Sequence, residues 1–330
     1  MNRRVQCGMV GAFCVWLAVG CAPTGFKITP IPVDRTLKEQ ELMRDAGWVS
    51  DKIALIDVDG VIVNRRAGRM FSEGEHPVSL LLEKLAAAQR DRAVKAVVLR
   101  INSPGGSVTA SALMHEEITR FKKTGKPVVA MMMDVAASGG YYIACACDEI
   151  IAYPSTVTGS IGVIMQTVDL SGTLAKLGIA TDAITSGPRK AAGSPLRPLS
   201  AEDRALFQAV IDEMFQQFVD VVDEGRPELS RERILELADG RIYTARQAHE
   251  AGLVDRIGNL RDAIKRAKKL AGIERARVVT YQRPLSWHPN IYAQAPGMQR
   301  GGASINLINL NWPSWLRPGE VQFMYLWSPG

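Results

Sequence analysis

The sequence predicts an α/β fold organised around a largely parallel sheet. Short runs of β-branched residues, typical of buried strands, alternate along the chain with longer stretches that have the pattern of helices. The strand-like runs lie at 53–58, 96–101, 127–130 and 149–152, and the helical stretches lie at 78–91 and 107–123. Because strands that alternate with helices are joined by crossover connections, they form a sheet that is mainly parallel.

The composition is that of a packed globular chain. Of its 330 residues, 47% are hydrophobic and 22% are charged, which excludes a mainly disordered protein. The net charge of +6 is spread along the chain without a concentrated basic run. Since nucleic-acid binding needs basic residues clustered on one face, we expect no nucleic-acid partner.

Residues 1–21 have the pattern of a secretion signal. Arg3 and Arg4 precede an uncharged run at 8–20, which ends in small residues before Cys21. A helix over that run would rise about 20 Å, less than the roughly 30 Å of a hydrocarbon core. The segment resembles a bacterial lipoprotein signal, in which the cysteine is lipidated, so Cys21 is the predicted lipid site. The alternative is an uncleaved anchor, and both place the rest of the chain at a membrane, on the extracytoplasmic (bacterial periplasmic) side.

Three further regions follow the signal. Residues 22–50, with three prolines and a charged stretch, predict a linker with room for one helix. Residues 51–275 carry the strand and helix pattern and predict one catalytic domain, and residues 276–330 predict an extension rich in Trp and Pro. Cys145 and Cys147 lie too close together in sequence to bridge each other easily, and we expect both to be buried small residues.

A long helix is predicted to begin after Ser200. Asp203, three residues later, completes the pattern of a capping box. Apolar residues then recur every three or four positions, at Phe207, Val210, Met214, Phe218 and Val221. This spacing predicts one apolar face that packs against the core or against another subunit.

The sequence Asp57-Val58-Asp59-Gly60 after a hydrophobic strand resembles the first motif of haloacid dehalogenase-type phosphatases. In that family the first Asp attacks phosphate with the help of Mg²⁺. The late pair of acidic Mg²⁺ ligands does not follow in this sequence. We therefore interpret the motif as a strand that ends in a polar turn with Gly60 at its tight position.

Two strand-to-helix turns have the residues that acyl-transfer chemistry needs. In the first, Gly105 and Gly106 follow Pro104, and backbone N–H groups at such a turn can stabilise an oxyanion. In the second, Ser138 lies among small residues, with the Gly139 N–H beside the carbonyl under attack. A structural turn or a small packing residue would look the same at each position, so neither motif alone settles the chemistry.

A serine nucleophile needs a base, and the sequence favours a lysine. The four histidines all lie outside stretches that resemble a catalytic motif. Lys190 lies among small and turn-forming residues; if it were buried near Ser138, its amine would become neutral. A lysine in a loop is more often simply solvated, so this assignment depends on the other motifs.

Together these segments resemble the SppA family of signal peptide peptidases, in the Clp protease/crotonase superfamily. The resemblance covers residues 52–259 and is carried by the segments 102–106, 137–142, 158–163, 186–195, 240–248 and 252–255. It implies a single catalytic domain with a ClpP/crotonase-like fold of repeated ββα units. Ser138 and Lys190 match the family's catalytic residues, and Ser160 matches a serine that orients the lysine. The histidine that Clp proteases use is replaced by Val163.

The expected function is that of a serine endopeptidase with a Ser138–Lys190 dyad and an oxyanion hole formed by Gly106 and Gly139. The resemblance implies apolar peptide substrates such as signal peptide remnants, and no metal or other cofactor. Short members of the family form homo-oligomeric rings, in which the serine and the lysine can come from neighbouring subunits. The alternatives are an inactive membrane-associated scaffold of the same fold, and a Mg²⁺-dependent phosphatase that uses Asp57.

Overall fold

The computed structural model describes residues 36–65, 75–283 and 323–327. The predicted signal segment with Cys21 lies outside these residues, as do most of the predicted linker's first half and most of the Trp-rich extension. Among the described residues, no helix is long and apolar enough to cross a membrane.

Strands and helices alternate through most of the chain. The strands are β1 (Lys38–Arg44), β2 (Lys52–Asp59), β3 (Val94–Ser103), β4 (Gly105–Ser107), β5 (Val128–Ala137), β6 (Glu149–Ala152), β7 (Val157–Gly159), β8 (Ile164–Met165), β9 (Ile242–Thr244), β10 (Arg256–Ile257), β11 (Arg277–Gln282) and β12 (Phe323–Leu326). The helices are α1 (Pro77–Arg90), α2 (Val108–Lys122), α3 (Gly139–Ala144), α4 (Ser171–Lys176), α5 (Ala201–Gly225), α6 (Arg231–Leu237), α7 (Ala245–Glu250) and α8 (Leu260–Leu270).

Within the described residues, nine strands form the main sheet. Seven follow the order β1-β11-β2-β3-β5-β6-β10, β7 pairs with β5, and β9 pairs with β7. The central pairs, from β11–β2 to β6–β10 and including β5–β7, are parallel. This mainly parallel sheet confirms the predicted α/β class. Each of the four strand-like runs and both helical stretches form the predicted elements, because their hydrophobic patterns match their burial.

The sheet extends beyond the predicted limits of the catalytic domain. β1 lies in the predicted linker, where the sequence left room for a helix, and β11 lies in the predicted extension. The two strands pair with each other antiparallel, and β11 also pairs with β2. Leu42 and Met43 of β1 pack against the core, so burial of these side chains favours the strand.

Hydrophobic residues cover both faces of the sheet. On one face, α1, α2, α3 and part of α5 pack over the larger core. On the other face, α8 covers the smaller core, with Leu260 and Ile264 against Leu55 and Val98 of the strands. Buried on both sides, β3 and β5 form a rigid platform, and the turns with Gly106 and Ser138 lie beyond their carboxyl ends.

Helix α5 begins as predicted at Ser200, whose hydroxyl accepts a hydrogen bond from the Asp203 N–H at 3.1 Å. The other half of the predicted capping box differs, because the Asp203 carboxylate accepts from Arg197 instead. Of the predicted apolar face, Phe218 is fully buried and Met214 is partly buried against the core. The face is therefore a core contact at its C-terminal half.

A small antiparallel sheet lies beside the main one, with β12 between β4 and β8. Cys145 and Cys147, as predicted, are buried and free. Burial raises the pKa of Cys145 to about 11, so its thiol is unreactive at neutral pH.

Candidate active site

Ser138 occupies a sharp turn between β5 and α3. Its φ of 52° and ψ of −116° are rare for a residue with a side chain. The Ser138 N–H donates to the Gly159 carbonyl at 2.7 Å, and the Tyr142 N–H donates to the Ser138 carbonyl at 2.9 Å. Such backbone strain costs about 1–3 kcal/mol and persists mainly at functional sites. The turn therefore has the strained geometry expected of the predicted nucleophile.

The Ser138 side chain is buried without a bonding partner. Its exposed fraction is 1%, and its hydroxyl makes no hydrogen bond to any described residue. Leaving a buried hydroxyl unpaired costs about 1–3 kcal/mol, and a catalytic role is one of the explanations for such a group in a folded protein. An unpaired hydroxyl at this turn is consistent with the predicted role of Ser138 as the nucleophile.

Gly139 brings its backbone against the strand that carries the glycine pair. A Cβ at this position would overlap the Ser111 hydroxyl and would lie 3.1 Å from Gly105 Cα and 3.2 Å from Gly106 N. Only glycine allows this close approach. The amides of Gly106 and Gly139, predicted as the oxyanion donors, are therefore brought together.

The orientation of the Gly106 amide is set by Ile62. The Ile62 N–H donates to the Gly105 carbonyl, and the Ser107 N–H donates to the Ile62 carbonyl, both at 2.8 Å. Because successive peptide groups of a strand face opposite sides, the Gly106 N–H points away from Ile62. That side of β4 is the side that β12 occupies.

Ser160 follows β7, the parallel neighbour of β5, and Ser138 follows β5. It also has a positive φ, 49°, and its N–H donates to the Arg241 carbonyl at 2.7 Å. Ser138 and Ser160 are the two non-glycine residues with positive φ in the part of the chain that the structure describes. The structure thus places the backbones of the two predicted serines side by side.

Lys190 is not brought to Ser138 within a single chain. It is exposed, on the segment between β8 and α5, and Ser138 makes no hydrogen bond to it. That segment is fixed at its end by Asp203, which pairs with Arg197 and, at 3.7 Å, with Arg189. The sequence argument depended on Lys190 being buried near Ser138. Within the described residues of one copy, Lys190 is not buried there.

A buried charge network lies beneath the site and was not expected from the sequence. Asp57 pairs with Arg100 at 2.6 Å, and both side chains are almost buried. Burial also lowers the pKa of nearby Lys84, an effect that Asp57 partly offsets. The Asp57 carboxylate is thus committed to an ion pair, which removes the support for a phosphatase nucleophile at this position. No local sequence signal links positions 57 and 100, because their pairing depends on the β2–β3 register.

The sequence is similar to those of known peptidases. Residues 120–274, which include Ser138, Ser160 and Lys190, match the model of Peptidase family S49, and residues 59–160 match that of Clp protease. A protein of Enterococcus faecium named "Putative signal peptide peptidase SppA" is 37% identical over 260 residues, which are 77% of this chain and 75% of that protein. This chain belongs to peptidase family S49.

Two longer relatives extend the comparison. The S49 chain is 37% identical to "Serine protease SPPA, chloroplastic" of Arabidopsis thaliana, over 73% of this chain and 36% of that protein. It is 35% identical to "Protease 4" of Haemophilus influenzae, over 67% of this chain and 35% of that protein. This chain therefore spans about a third of the length of each. The S49 membership confirms the predicted family and a serine peptidase activity, and the Clp protease match agrees with the predicted ClpP/crotonase-like fold.

Proposed function

We propose that this S49 chain is an endopeptidase in which Ser138 and Lys190 form the catalytic dyad. One observation carries the proposal: the strained turn at Ser138 holds an unpaired, buried hydroxyl beside two glycine amides. A nucleophile next to two convergent N–H donors is the arrangement that acyl transfer requires.

In the proposed reaction, Ser138 Oγ attacks the scissile carbonyl while the Lys190 amine accepts its proton. The N–H groups of Gly106 and Gly139 stabilise the oxyanion, and the protonated lysine then transfers its proton to the leaving amine. Water hydrolyses the acyl-enzyme by the same route in reverse. Ser160, beside the nucleophile turn, would orient the lysine by a hydrogen bond.

We further propose that the lysine comes from a neighbouring copy in a homo-oligomeric ring. Lys190 is exposed in one copy, and the segment around it leaves Leu177, Ile179 and Ile184 at least half exposed. Contact with another copy would bury these side chains and remove the lysine from water. Loss of hydration favours the neutral amine that a general base needs.

The proposed substrates are extended apolar peptides, such as signal peptide remnants released at a membrane. The name of the Enterococcus relative supports this substrate class. Attachment through a lipid on Cys21, or through an uncleaved N-terminal anchor, would hold the enzyme near such peptides on the extracytoplasmic side.

The dyad is tested by Ser138→Ala and Lys190→Ala, each expected to abolish cleavage of a fluorogenic apolar peptide while preserving the circular dichroism spectrum. Lys176→Ala is the matched control, since Lys176 is an exposed lysine on the same segment. Substantial turnover by Lys190→Ala at neutral pH would overturn the dyad. A fluorophosphonate adduct mapped to a residue other than Ser138 would overturn the nucleophile.

The shared site is tested by mixing the two inactive variants. If each dyad joins two copies, randomly mixed rings contain some intact sites, and activity should recover to roughly a quarter of the wild-type value. If the dyad forms within one chain, the mixture stays inactive. Activity toward casein but not toward p-nitrophenyl phosphate, unchanged by EDTA, would exclude both alternatives that the sequence left open.

A further inference from the structure

Two polar residues at the end of β3 connect the glycine turn to the nucleophile turn. Asn102 and Ser103 are the last two residues of this strand, and the glycine pair follows directly after Pro104. The end of β2 lies beside them, because Asp59 pairs with Asn102 in the parallel register. The Asp59-Gly60 turn, which resembles a phosphatase motif, therefore lies against the strand that leads to the glycines.

The Ser103 hydroxyl joins two backbone groups. It donates a hydrogen bond to the Gly60 carbonyl at 2.6 Å and accepts one from the Gly105 N–H at 3.1 Å. Ser103 is fully buried, so water cannot replace either bond if the hydroxyl is lost. The hydroxyl therefore fixes the peptide group that precedes Gly105.

Gly105 needs this support because its backbone has little steric restriction. Its φ is 99°, in a region that glycine enters at low cost, so the peptide groups on both sides of it can rotate unless they are held. Ile62 holds the peptide group that follows Gly105, since the Ile62 N–H donates to the Gly105 carbonyl. Ser103 holds the peptide group that precedes it. The two bonds together set the direction of the Gly106 N–H.

Asn102 holds the strand that ends before the nucleophile. The register of β3 with β5 shifts between Ile101 and Ser103, so that Asn102 alone lies opposite residues 133–135 of β5. Such a shift leaves backbone groups of the longer strand without partners in the ladder. The side-chain oxygen of Asn102 accepts from one of them, the Val135 N–H, at 3.2 Å. The side chain thus supplies the acceptor that the irregular ladder lacks.

Asp59 orients the Asn102 side chain from its other end. Burial and the nearby Asp57 raise the pKa of the Asp59 carboxyl group, and a hydrogen bond from the Asn102 side chain partly offsets this rise. Since the amide oxygen of Asn102 faces Val135, its amide nitrogen is the donor to Asp59. Asp59 therefore keeps the amide oxygen directed at β5.

We infer that Asn102 and Ser103 are positioning residues for the reaction of this S49 chain. Ser103 sets the turn that carries one oxyanion donor, and Asn102 sets the strand that leads to the nucleophile. The Ser103 carbonyl oxygen also lies 2.7 Å from where a Cβ on Gly140 would sit, so α3 packs directly against the same residue. The inference rests on the proposed function and adds the groups that hold its two turns in place.

The role of Ser103 is tested by Ser103→Ala in the full chain. Without the hydroxyl, the peptide group before Gly105 is released and the Gly106 amide is displaced. We expect kcat to fall about 10- to 100-fold. KM should change much less, because an oxyanion donor acts mainly in the transition state. Ser103→Cys, which keeps a weaker donor and acceptor, should lie between Ser103→Ala and the wild type.

Ser230→Ala is the matched control for Ser103→Ala. The Ser230 hydroxyl also accepts a hydrogen bond from a backbone N–H, that of Arg233, but at the start of α6. Its loss should leave kcat at the wild-type value. Thermal unfolding shows which variants are folded, and a folded Ser103→Ala enzyme with wild-type kcat would overturn the role of Ser103.

The role of Asn102 is tested by exchanging it with Asp59. Asn102→Asp keeps an oxygen for the Val135 N–H but loses the amide donor and places two carboxyl groups together, so kcat should fall about 10- to 100-fold. In Asp59→Asn/Asn102→Asp the donor and the acceptor are exchanged, and the bond between the two side chains is restored. The double variant should recover kcat to within about threefold of the wild type. Losses that simply add in the double variant would overturn the assignment.

Hydrogen exchange separates this inference from the proposed chemistry. Ser103→Ala should raise deuterium uptake in the segment 104–107, and Asn102→Ala should raise it in 133–138, whereas 231–237 should keep the wild-type rate in both variants. Unchanged exchange in both turns would overturn the inference, even in an active enzyme. If exchange rises as expected but no preparation cleaves peptides, the proposed function fails, and the positioning of the two turns by Asn102 and Ser103 stands.

Discussion

Replacing Gly106 by alanine tests the oxyanion hole at its least adaptable point. A Cβ there would overlap the Ile62 carbonyl oxygen and lie 2.5 Å from Ile62 C and 2.7 Å from Ile62 N. All three are backbone atoms, which cannot rotate away as a side chain would. The backbone at Ile62 and strand β4 must therefore move apart, and the Gly106 amide moves with β4.

The size of the effect follows from this displacement. The two backbones must separate by on the order of 1 Å, and a misplacement of that size in an active site costs about 100-fold in rate. Loss of one oxyanion donor costs about 100- to 1000-fold in kcat, or about 2.7–4 kcal/mol. We expect a fall in kcat within this range and a smaller change in KM, because the donor acts mainly in the transition state.

Steady-state kinetics with a fluorogenic peptide measure this loss of kcat. The rate at which a fluorophosphonate labels the enzyme tests the same proposed oxyanion hole without substrate turnover. Gly162→Ala is the matched control, since a Cβ there would make only an ordinary contact, 3.6 Å from Gly240 Cα. Thermal unfolding distinguishes a displaced amide from an unfolded chain. A folded Gly106→Ala enzyme with wild-type kcat would refute the role of this amide.

Three other outcomes are expected. Ser160→Ala should lower kcat about 10- to 1000-fold, because the proposed hydrogen bond that orients the lysine would be lost, and wild-type kinetics would remove Ser160 from the site. Burial lowers the pKa of His115 from 6.5 to about 4. Between these two pH values the unfolded chain therefore binds more protons than the folded chain, so the free energy of unfolding rises with pH. His115→Phe should reduce the slope of the free energy of unfolding against pH, measured by urea unfolding, by the equivalent of up to about one proton. An unchanged slope would contradict the burial effect. Cys21→Ser should block lipidation. The intact mass of the wild-type protein extracted from membranes is the direct measurement. An unmodified chain that retains residues 1–20 would instead indicate an uncleaved anchor.

The sequence predicted what local patterns determine. The strands near Ile56 and Val98 follow from runs of buried residues, and the turn at Ser138 follows from a serine among small residues after such a run. These features need only neighbouring residues, so one sequence is enough to locate them.

Features that depend on distant pairing were missed. The ion pair of Asp57 and Arg100 forms because β2 and β3 align in one register. The strand at β1 forms because β11, more than 200 residues later, supplies its partner. The location of β12 similarly depends on β4 and β8, and no period in its four residues indicates that neighbourhood. The proposed contribution of Lys190 from a neighbouring copy depends on the assembly of several chains, which local sequence patterns do not describe.

The close backbone packing at Gly106 and Gly139 means that these two positions tolerate fewer substitutions than the aromatic side chains around Tyr325. The groups proposed to hold the oxyanion are main-chain amides in a space that admits no Cβ, so substitutions there can only damage the reaction. The buried ring of Tyr325 packs instead against side chains, those of Tyr142 and Phe218, with ring centroids 5.1 and 4.6 Å away. Phe218 lies on α5, outside the reactive turn, so it can change size while the glycines stay fixed. Substitutions at Phe218 should therefore repack this aromatic cluster without moving the two glycine amides.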